Sequence, residues 1–339
     1  MIVHDRTRLT GSLDRADAFA FARFFLFDPN SQKACIFYVF VLHYLLNLQQ
    51  LEGCSLSKKV ILCADSTCDL SPELKERYGV HTYPFHVSLG EENYRDGVDL
   101  VPDDIYRIYN EKHILPKTAA INIAEYVDFF KPFLNEGCEI VHLNLGAGLS
   151  ASHNNCRLAA EELEGVYVVN SCNLSTGMGL LVIEAAERIA AGLSAQQVAE
   201  EVQALTEKVQ ASFVLDTLEF LHKGGRCSAL AMMGANLLQL KPCIEVDNTS
   251  GKMGVGKKYR GSLDKSLQQY VQDQLKDRTD IRTDRIFITH SGISEERIAM
   301  VKAAVESCQT FGEILITRAG CTISSHCGPN TLGVLFMTK

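Results

Sequence analysis

From Lys59 onward, short apolar segments alternate with helix-length segments, and this alternation restricts the chain to few folds. The first apolar segment, residues 60–64, is closed by Asp65-Ser66-Thr67, and Ser71-Pro72-Glu73 then carries the first-turn proline of a helix start. Further strands are predicted at residues 83–89, 139–145 and 166–169, and helices at residues 102–110, 124–134, 154–163, 177–191 and 196–209. Strands separated by helices predict a parallel sheet covered by helices.

After about residue 215 the pattern changes. Residues 218–240 are predicted to be largely helical, broken by Gly224-Gly225, and the turn-rich segment 248–251 predicts a hairpin. Helices are then predicted at residues 263–275 and 295–307, and strands at residues 243–246, 253–259, 286–289, 314–317 and 332–337. A chain of 339 residues is long enough for about two domains. We therefore predict a three-layer α/β/α domain with a parallel sheet at residues 59–215, and a two-layer α/β domain with a mixed sheet at residues 216–339.

The first 58 residues do not follow this pattern. Residues 34–48 form an apolar run of 15 residues that contains His43, whereas a membrane-spanning helix needs roughly 20 apolar residues. The sequence around Cys54 resembles a lipid-attachment site, but Glu52 and the long charged lead-in argue against a signal peptide. We interpret residues 1–58 as an incidental extension or a mis-assigned start, with a peripheral helix and then a membrane anchor as the alternatives.

Composition excludes several functional classes. The net charge of −8 and the pI of about 5.7 argue against a nucleic-acid-binding protein, which usually carries a basic surface. Twelve cysteines occur without a C-x-x-C pair, which argues against a disulfide scaffold and gives no ligand spacing for a metal site. We therefore expect reduced cysteines, a cytoplasmic location, no metal, and membrane contact that is transient at most.

A glycine-rich loop at residues 145–152 follows a predicted strand and precedes a predicted helix. Glycines let backbone amides approach a ligand, and a helix start favours an anion. The loop fits G-x-G-x-x-A, but the next strand ends at Asn170 instead of the acidic residue that a dinucleotide site requires. It nearly fits the hydrolase elbow G-x-S-x-G, but Ser152 replaces the last glycine. Capture of a carboxylate or phosphate by Ser150 is the third interpretation, and an ordinary tight turn the fourth.

Three other residues stand out as candidates. Thr118, after Pro116, either caps the next helix or presents its hydroxyl to a ligand. His326 lies in a segment that resembles a loop, next to Gly328-Pro329, and a histidine there can donate to a carboxylate. Arg226 follows Gly224-Gly225 at a predicted helix end, where it either complements the helix dipole or is displayed by the bend.

Together and in this order, short motifs over residues 59–339 resemble the DegV family. The motifs are Ala64-Asp65-Ser66-Thr67, Tyr83-Pro84, Tyr94-Arg95-Asp96, Pro116-Lys117-Thr118, Gly148-Leu149-Ser150, Asn170-Ser171, Gly177-Met178-Gly179, Lys223-Gly224-Gly225-Arg226, Leu240-Lys241-Pro242 and His326-Cys327-Gly328-Pro329. The chain departs from the family's usual residues at Ala119 to Ile121, at Ala151-Ser152 and at Asn170. We expect these departures to affect the choice of ligand more than the fold.

The resemblance implies a two-domain protein that holds a long-chain fatty acid in a tunnel between the domains and presents its carboxylate to an ATP-dependent fatty-acid kinase. By the same resemblance, Thr118, Ser150 and His326 hold the carboxylate. The supporting loop residues it implies are Asp65, Ser66, Gly148 and Ala151. Arg226 is implied to contact the kinase. No cofactor or catalytic residue is expected.

Two alternatives from other functional classes remain. An acyl hydrolase would use Ser150 as nucleophile and His326 as base, although the sequence offers no evident third member of a triad. A nucleotide-binding oxidoreductase would use the glycine-rich loop, but the acidic residue for the ribose is absent.

Overall fold

The computed structural model describes residues 58–228 and 240–339, which fall within a single contact unit, Lys58–Lys339. The predicted extension therefore lies outside the described residues, except for Lys58. The strands are β1 (Val60–Asp65), β2 (Val80–Tyr83), β3 (His86–Leu89), β4 (Glu92–Arg95), β5 (Lys117–Ala119), β6 (Glu139–Asn144), β7 (Val166–Asn170), β8 (Val209–Val214), β9 (Leu240–Val246), β10 (Met253–Arg260), β11 (Arg285–His290), β12 (Glu313–Arg318) and β13 (Leu332–Met337). The helices are α1 (Pro72–Tyr78), α2 (Pro102–Lys112), α3 (Ile123–Asn135), α4 (Ser152–Glu161), α5 (Ser175–Ala190), α6 (Ala195–Leu205), α7 (Glu219–Gly224), α8 (Leu263–Leu275), α9 (Glu295–Cys308) and α10 (Cys321–Cys327).

The first sheet is parallel, with strand order β2-β1-β6-β7. Alternate residues of β1 face opposite sides, as a strand covered on both faces requires. Ile61 and Cys63 join the cluster that contains α3, and Leu62 and Ala64 join the cluster that contains α5 and α6. The prediction of a three-layer α/β/α arrangement with a parallel sheet is confirmed.

The second sheet is mixed, with strand order β10-β9-β8-β13-β11-β12. The pair β11–β12 is parallel and the other pairs are antiparallel. Helices α8 and α9 cover one face with apolar residues such as Leu267 and Val301. This sheet includes β8, which precedes residue 215, and the predicted domain boundary at that residue stays a prediction.

Helix α5 lies between the two sheets, which explains why its first twelve residues are mostly apolar. All residues from Ser175 to Ala186 are buried, and the helix contacts both β1 and β13. Thr176 and Thr289 share a hydroxyl hydrogen bond of 2.5 Å from this helix to β11. Gly179 permits the close approach of the neighbouring chain, because a Cβ there would lie 2.8 Å from the carbonyl oxygen of Cys68.

A small antiparallel sheet, β4-β3-β5, was not predicted. The single strand predicted at residues 83–89 is wrong, because the chain forms β2 and β3 on either side of Pro84, which has no N–H to donate to a sheet. The segment around Thr118 is the third strand of this small sheet, where Thr118 pairs with Val87. Of the helix predicted at residues 218–240, α7 covers residues 219–224, and residues 229–239 lie outside the described range.

Candidate functional site

A cavity of about 300 Å³ lies where the first sheet, the small sheet and α10 meet the second sheet. This volume is within the range typical of small-molecule pockets, roughly 300–1,000 Å³. The polar side chains of the wall are Thr118, Ser150, Arg226, Thr322 and His326. The apolar and sulfur side chains are Phe85, Ala119, Ala120, Leu145, Leu149, Ala151, Leu174, Phe213, Leu221, Met253, Ile323 and Cys327. The wall is thus mostly apolar, with a few convergent polar groups.

The side chains of Thr118 and His326 are in direct contact at the wall of this cavity. Thr118 Oγ1 lies 2.9 Å from His326 Nε2. Neither residue has the backbone setting expected from the sequence. Thr118 lies in β5 and caps no helix, because Asn122 caps α3 through its side chain. His326 lies in α10 and not in a loop.

The surroundings of His326 favour one protonation state. Burial, reinforced by the positive charge of Arg226, lowers its pKa to about 4, so the ring is neutral at pH 7. Its buried Nδ1 has no hydrogen-bond partner among the described residues. A proton on Nε2 therefore leaves only an unmet acceptor at Nδ1 and gives Thr118 a donor. Thr118 then accepts from the imidazole and keeps its own hydroxyl hydrogen for another acceptor.

Ser150 lies in the loop between β6 and α4. Its Oγ accepts a hydrogen bond of 3.1 Å from the backbone N–H of Ser152 and donates to Ser152 Oγ, also at 3.1 Å. Ser152 Oγ in turn accepts from the backbone N–H of Ile121, which is three residues beyond Thr118. The two polar segments are thus joined through Ser152, and Ser150 can rotate its hydrogen towards the cavity without losing its amide contact.

Gly148 allows this loop to pack closely against the turn that joins β9 and β10. A Cβ at Gly148 would lie 2.4 Å from the carbonyl oxygen of Ser250 and 3.0 Å from the carbonyl carbon of Gly251. Only glycine permits this approach, because backbone atoms cannot move aside as a flexible side chain can. Ala151, predicted to support the site, contributes directly to the cavity wall.

Asp65 lies outside the cavity wall and organises the residues beneath it. Its fully buried carboxylate accepts from Tyr126 Oη at 2.7 Å, from His142 Nε2 at 3.0 Å and from the backbone N–H of Leu145 at 2.9 Å. Asn144 donates to the same carboxylate. Because Leu145 opens the glycine-rich loop and lines the cavity, this network fixes the start of the loop.

Ser66 also supports the wall from behind. Its hydroxyl donates to Asp96 Oδ2 at 3.0 Å and accepts from the backbone N–H of Phe85 at 3.1 Å. Asp96 accepts in addition from the backbone amides of Cys321, at 2.6 Å, and Thr322, at 3.2 Å. Asp96 therefore helps to hold the start of α10 in place, together with Asp69, which accepts from the backbone N–H of Gly320. The sequence alone indicated no role for Asp96, although it lies within the motif Tyr94-Arg95-Asp96.

Arg226 lies at the wall of the cavity. Its side chain is exposed and lines the wall, and Nη1 donates to the carbonyl oxygen of Gly224 at 2.7 Å. That carbonyl belongs to the last residue of α7. Arg226 therefore both satisfies a helix end and places a positive charge near His326.

A second, smaller cavity of about 30 Å³ continues from the first towards the second sheet. Leu174, Phe213, Ile323 and Cys327 line both cavities. His290 lies at the far side, and burial, together with the charge of Arg318, lowers its pKa to about 4. The apolar interior therefore extends beyond the main cavity, on the side of α5 and β13.

Within residues 58–228 and 240–339, no group of three or more His, Cys, Asp or Glu side chains is arranged to hold a metal ion. No helix within them has both the length and the apolar character needed to cross a membrane.

Solved structures of other proteins share this fold. A fatty-acid-binding DegV family protein from Thermus thermophilus superposes with a TM-score of 0.73 at 29% identity, covering 83% of this chain and 100% of that one. The DegV protein of Bacillus subtilis, described as a fatty-acid-binding protein, superposes with a TM-score of 0.69 at 24% identity, covering 84% of this chain and all of that one. At 24% identity, the similarity to the Bacillus subtilis protein is evidence for the fold only.

Sequence comparison gives the same relationship. A DegV domain-containing protein of Clostridium perfringens is 26% identical over 283 residues, which is 83% of this chain and 99% of the relative. The profile of the DegV family, described as an uncharacterised protein family, matches residues 59–339. Since this match covers most of the sequence and every described strand and helix, the chain belongs to the DegV family.

Proposed function

We propose that this protein binds a long-chain fatty acid in the cavity described above, without catalysis of its own, and presents the carboxylate to an ATP-dependent fatty-acid kinase. The observation that carries the proposal is the contact between Thr118 and His326 at the wall of an otherwise apolar cavity that Ser150 also lines. The Thermus thermophilus relative, at 29% identity, is described as a fatty-acid-binding protein.

The polar groups suit a carboxylate, which only accepts hydrogen bonds when ionised. Burying such a group is costly unless donors meet it. Thr118 has a free hydroxyl hydrogen when it accepts from His326, and Ser150 can turn its hydroxyl while the amide of Ser152 holds its oxygen. The imidazole acts through Thr118, because its Nε2–H occupies the acceptor side of that hydroxyl and directs the hydroxyl hydrogen towards the ligand. Hydrogen bonds to a charged acceptor are stronger than neutral ones.

The apolar wall suits an acyl chain. Transfer of each methylene from water into such surroundings stabilises the complex by about 0.8 kcal/mol. Apolar side chains from eight separate segments, including Phe85, Phe213 and Ile323, provide this surface, and the smaller cavity extends it beyond Cys327. Burial of the acyl chain would therefore supply most of the binding free energy. The polar groups would determine which end of the fatty acid lies at the cavity wall.

An acyl hydrolase is the alternative that the sequence left open, and the geometry favours it less. A nucleophilic serine needs its base within hydrogen-bond reach. His326 Nε2 contacts Thr118, and the hydroxyl of Ser150 is engaged by Ser152. The Nδ1 atom of His326 lacks a carboxylate to orient it within the described parts of the chain. A triad centred on His326 would need Ser150 in place of Thr118 at Nε2 and a carboxylate at Nδ1.

Presentation to a kinase rests on the position of Arg226. This residue is exposed at the cavity, and a guanidinium binds carboxylate or phosphate oxygens with two parallel hydrogen bonds. A charged group at that point could engage a partner that must reach the carboxylate. Acyl-phosphate formation would then be the partner's reaction.

Mass spectrometry of the gently purified, denatured protein tests the proposal. We expect a long-chain fatty acid at near-stoichiometric amount, and calorimetric binding of the same acid after delipidation. Ester turnover that requires Ser150 and His326 would favour the hydrolase. Protein that carries no acid and binds none would contradict the proposal.

A further inference from the structure

Thr322 places a buried hydroxyl at the cavity wall that the proposed carboxylate site does not use. The residue is 2% exposed and lines the main cavity. Its Oγ1 finds no hydrogen-bond partner in the described ranges of the chain. Buried hydroxyls in native proteins are nearly always hydrogen-bonded, so this one calls for a partner that the described protein residues do not provide.

The position of Thr322 relative to His326 limits what that partner can be. The two residues are four positions apart on α10, and side chains with this spacing share one face of a helix. One such step is about 6 Å along the axis. The backbone of Thr322 is held by Asp96, which accepts from its amide. The unmet hydroxyl therefore lies a fixed, short distance along the wall from the group that would bind the carboxylate.

We propose that Thr322 recognises an oxygen on the acyl chain close to the carboxylate, so that the preferred ligand class is 3-hydroxy fatty acids over unsubstituted ones. This inference rests on the proposed fatty-acid binding and specifies its ligand. A hydroxyl on the third carbon lies along the chain from the carboxylate and within reach of a group one helical step, about 6 Å, away. It can both donate to and accept from Thr322. An unsubstituted chain would leave the hydroxyl of Thr322 facing methylene groups.

The test compares three acids of equal length on delipidated protein by titration calorimetry: hexadecanoic, 3-hydroxyhexadecanoic and 16-hydroxyhexadecanoic acid. The wild type should bind the 3-hydroxy acid roughly threefold to tenfold more tightly than hexadecanoic acid, the factor expected of one buried hydrogen bond. The 16-hydroxy acid, whose hydroxyl is at the far end, should show no such gain. Comparison of the 3-hydroxy and 16-hydroxy acids therefore distinguishes a specific contact with Thr322 from a general tolerance of hydroxyl groups on the ligand.

Two variants complete the test. Thr322→Val replaces the hydroxyl with a methyl group of similar size and should abolish the preference for the 3-hydroxy acid. Thr322→Ser keeps the hydroxyl and should retain the preference for the 3-hydroxy acid, which controls for structural effects of changing this residue.

An equal preference in wild type and Thr322→Val would overturn the inference, and so would an equal loss of affinity for both acids. If the wild type binds hexadecanoic acid without any preference, the inference fails and the proposed function stands. If it binds none of the acids, the proposed function itself fails.

Discussion

Thr118 and His326 are 208 residues apart in the sequence, and their side chains are 2.9 Å apart at the cavity wall. One lies in an edge strand of the small sheet and the other in the short helix α10. The contact forms only when both segments have reached their native positions. The proposed carboxylate site is therefore a product of the complete fold and not of any one motif.

Replacement of Thr118 by valine tests this contact. The variant keeps the β-branched shape and removes both the acceptor for His326 and the free hydroxyl hydrogen. We expect fatty-acid affinity to fall by roughly 1–3 kcal/mol, since buried partners are left unmet. Calorimetry measures the affinity and urea unfolding the stability. Thr249→Val, at an exposed position in the β9–β10 turn, is the matched control. Equal affinities in wild type and both variants would remove Thr118 from the site.

Gly224 offers a second test, because it determines where the imidazole can lie. A Cβ at Gly224 would be only 2.2 Å from His326 Nδ1, so Gly224→Ala must displace the ring or the end of α7. Alanine is otherwise the better helix former, and overpacking of this kind typically costs about 1–3 kcal/mol. We expect weaker fatty-acid binding in calorimetry. Gly254→Ala is the control, since its Cβ meets no atom within 4 Å. Binding that is equally strong in both variants would contradict the role of the ring position.

Much of the fold could be predicted from the sequence, because most of the strands and helices carry a local signal; β8 and α10 were not predicted. The largely apolar run that became α5 proved to be the helix between the two sheets. The small sheet had no comparable signal. Its strand β5 has three residues, of which two are exposed, so it lacks the alternation of a half-buried strand. Its formation depends on pairing with β3.

The candidate site was predicted only in part, for a related reason. Thr118, Ser150 and His326 were found through motifs, and the structure brings all three to one cavity. The residues of the apolar wall were not identified, because Phe85, Phe213 and Met253 come from separate parts of the chain with no shared spacing. Thr322 was missed because an isolated threonine has no sequence signal for an unmet hydroxyl. Only the three-dimensional structure shows that Thr322 Oγ1 has no hydrogen-bond partner among residues 58–228 and 240–339.

The stability of the protein should depend on pH through two half-buried histidines, His326 and His290. Burial lowers the pKa of His326 and of His290 to about 4 in the folded chain, against about 6.5 when unfolded. Between these values the unfolded chain binds protons that the folded chain does not. The free energy of unfolding is therefore highest above about pH 6.5 and falls as the pH is lowered towards 4.

Urea unfolding at pH 7.5 and at pH 5 measures this effect. We expect His326→Gln and His290→Gln each to lose part of the decrease seen in the wild type, because glutamine binds no proton in either state. The substitution His222→Gln, at an exposed position on α7, controls for general effects of losing a histidine. A decrease of the same size in wild type and in the His326 and His290 variants would show that other groups cause it.

The last prediction separates the two roles of Arg226. Its exposed guanidinium donates to the carbonyl oxygen of Gly224, and a cation at a helix end contributes about 0.3–1 kcal/mol of stability. Near the ligand carboxylate, an exposed charge adds about 0.2–1 kcal/mol, which is up to about fivefold in affinity. If Arg226 also engages the kinase, Arg226→Ala should lower acyl-phosphate formation well beyond these amounts, by more than about tenfold.

The measurement adds ATP and a purified fatty-acid kinase to protein saturated with hexadecanoic acid, so that reduced affinity alone cannot limit turnover. Arg226→Lys keeps the charge and loses the paired hydrogen bonds, and we expect intermediate turnover from it. Arg260→Ala, at an exposed arginine that ends β10, should turn over like the wild type. Normal turnover of Arg226→Ala, together with a lowered melting temperature, would show that the residue serves only the end of α7.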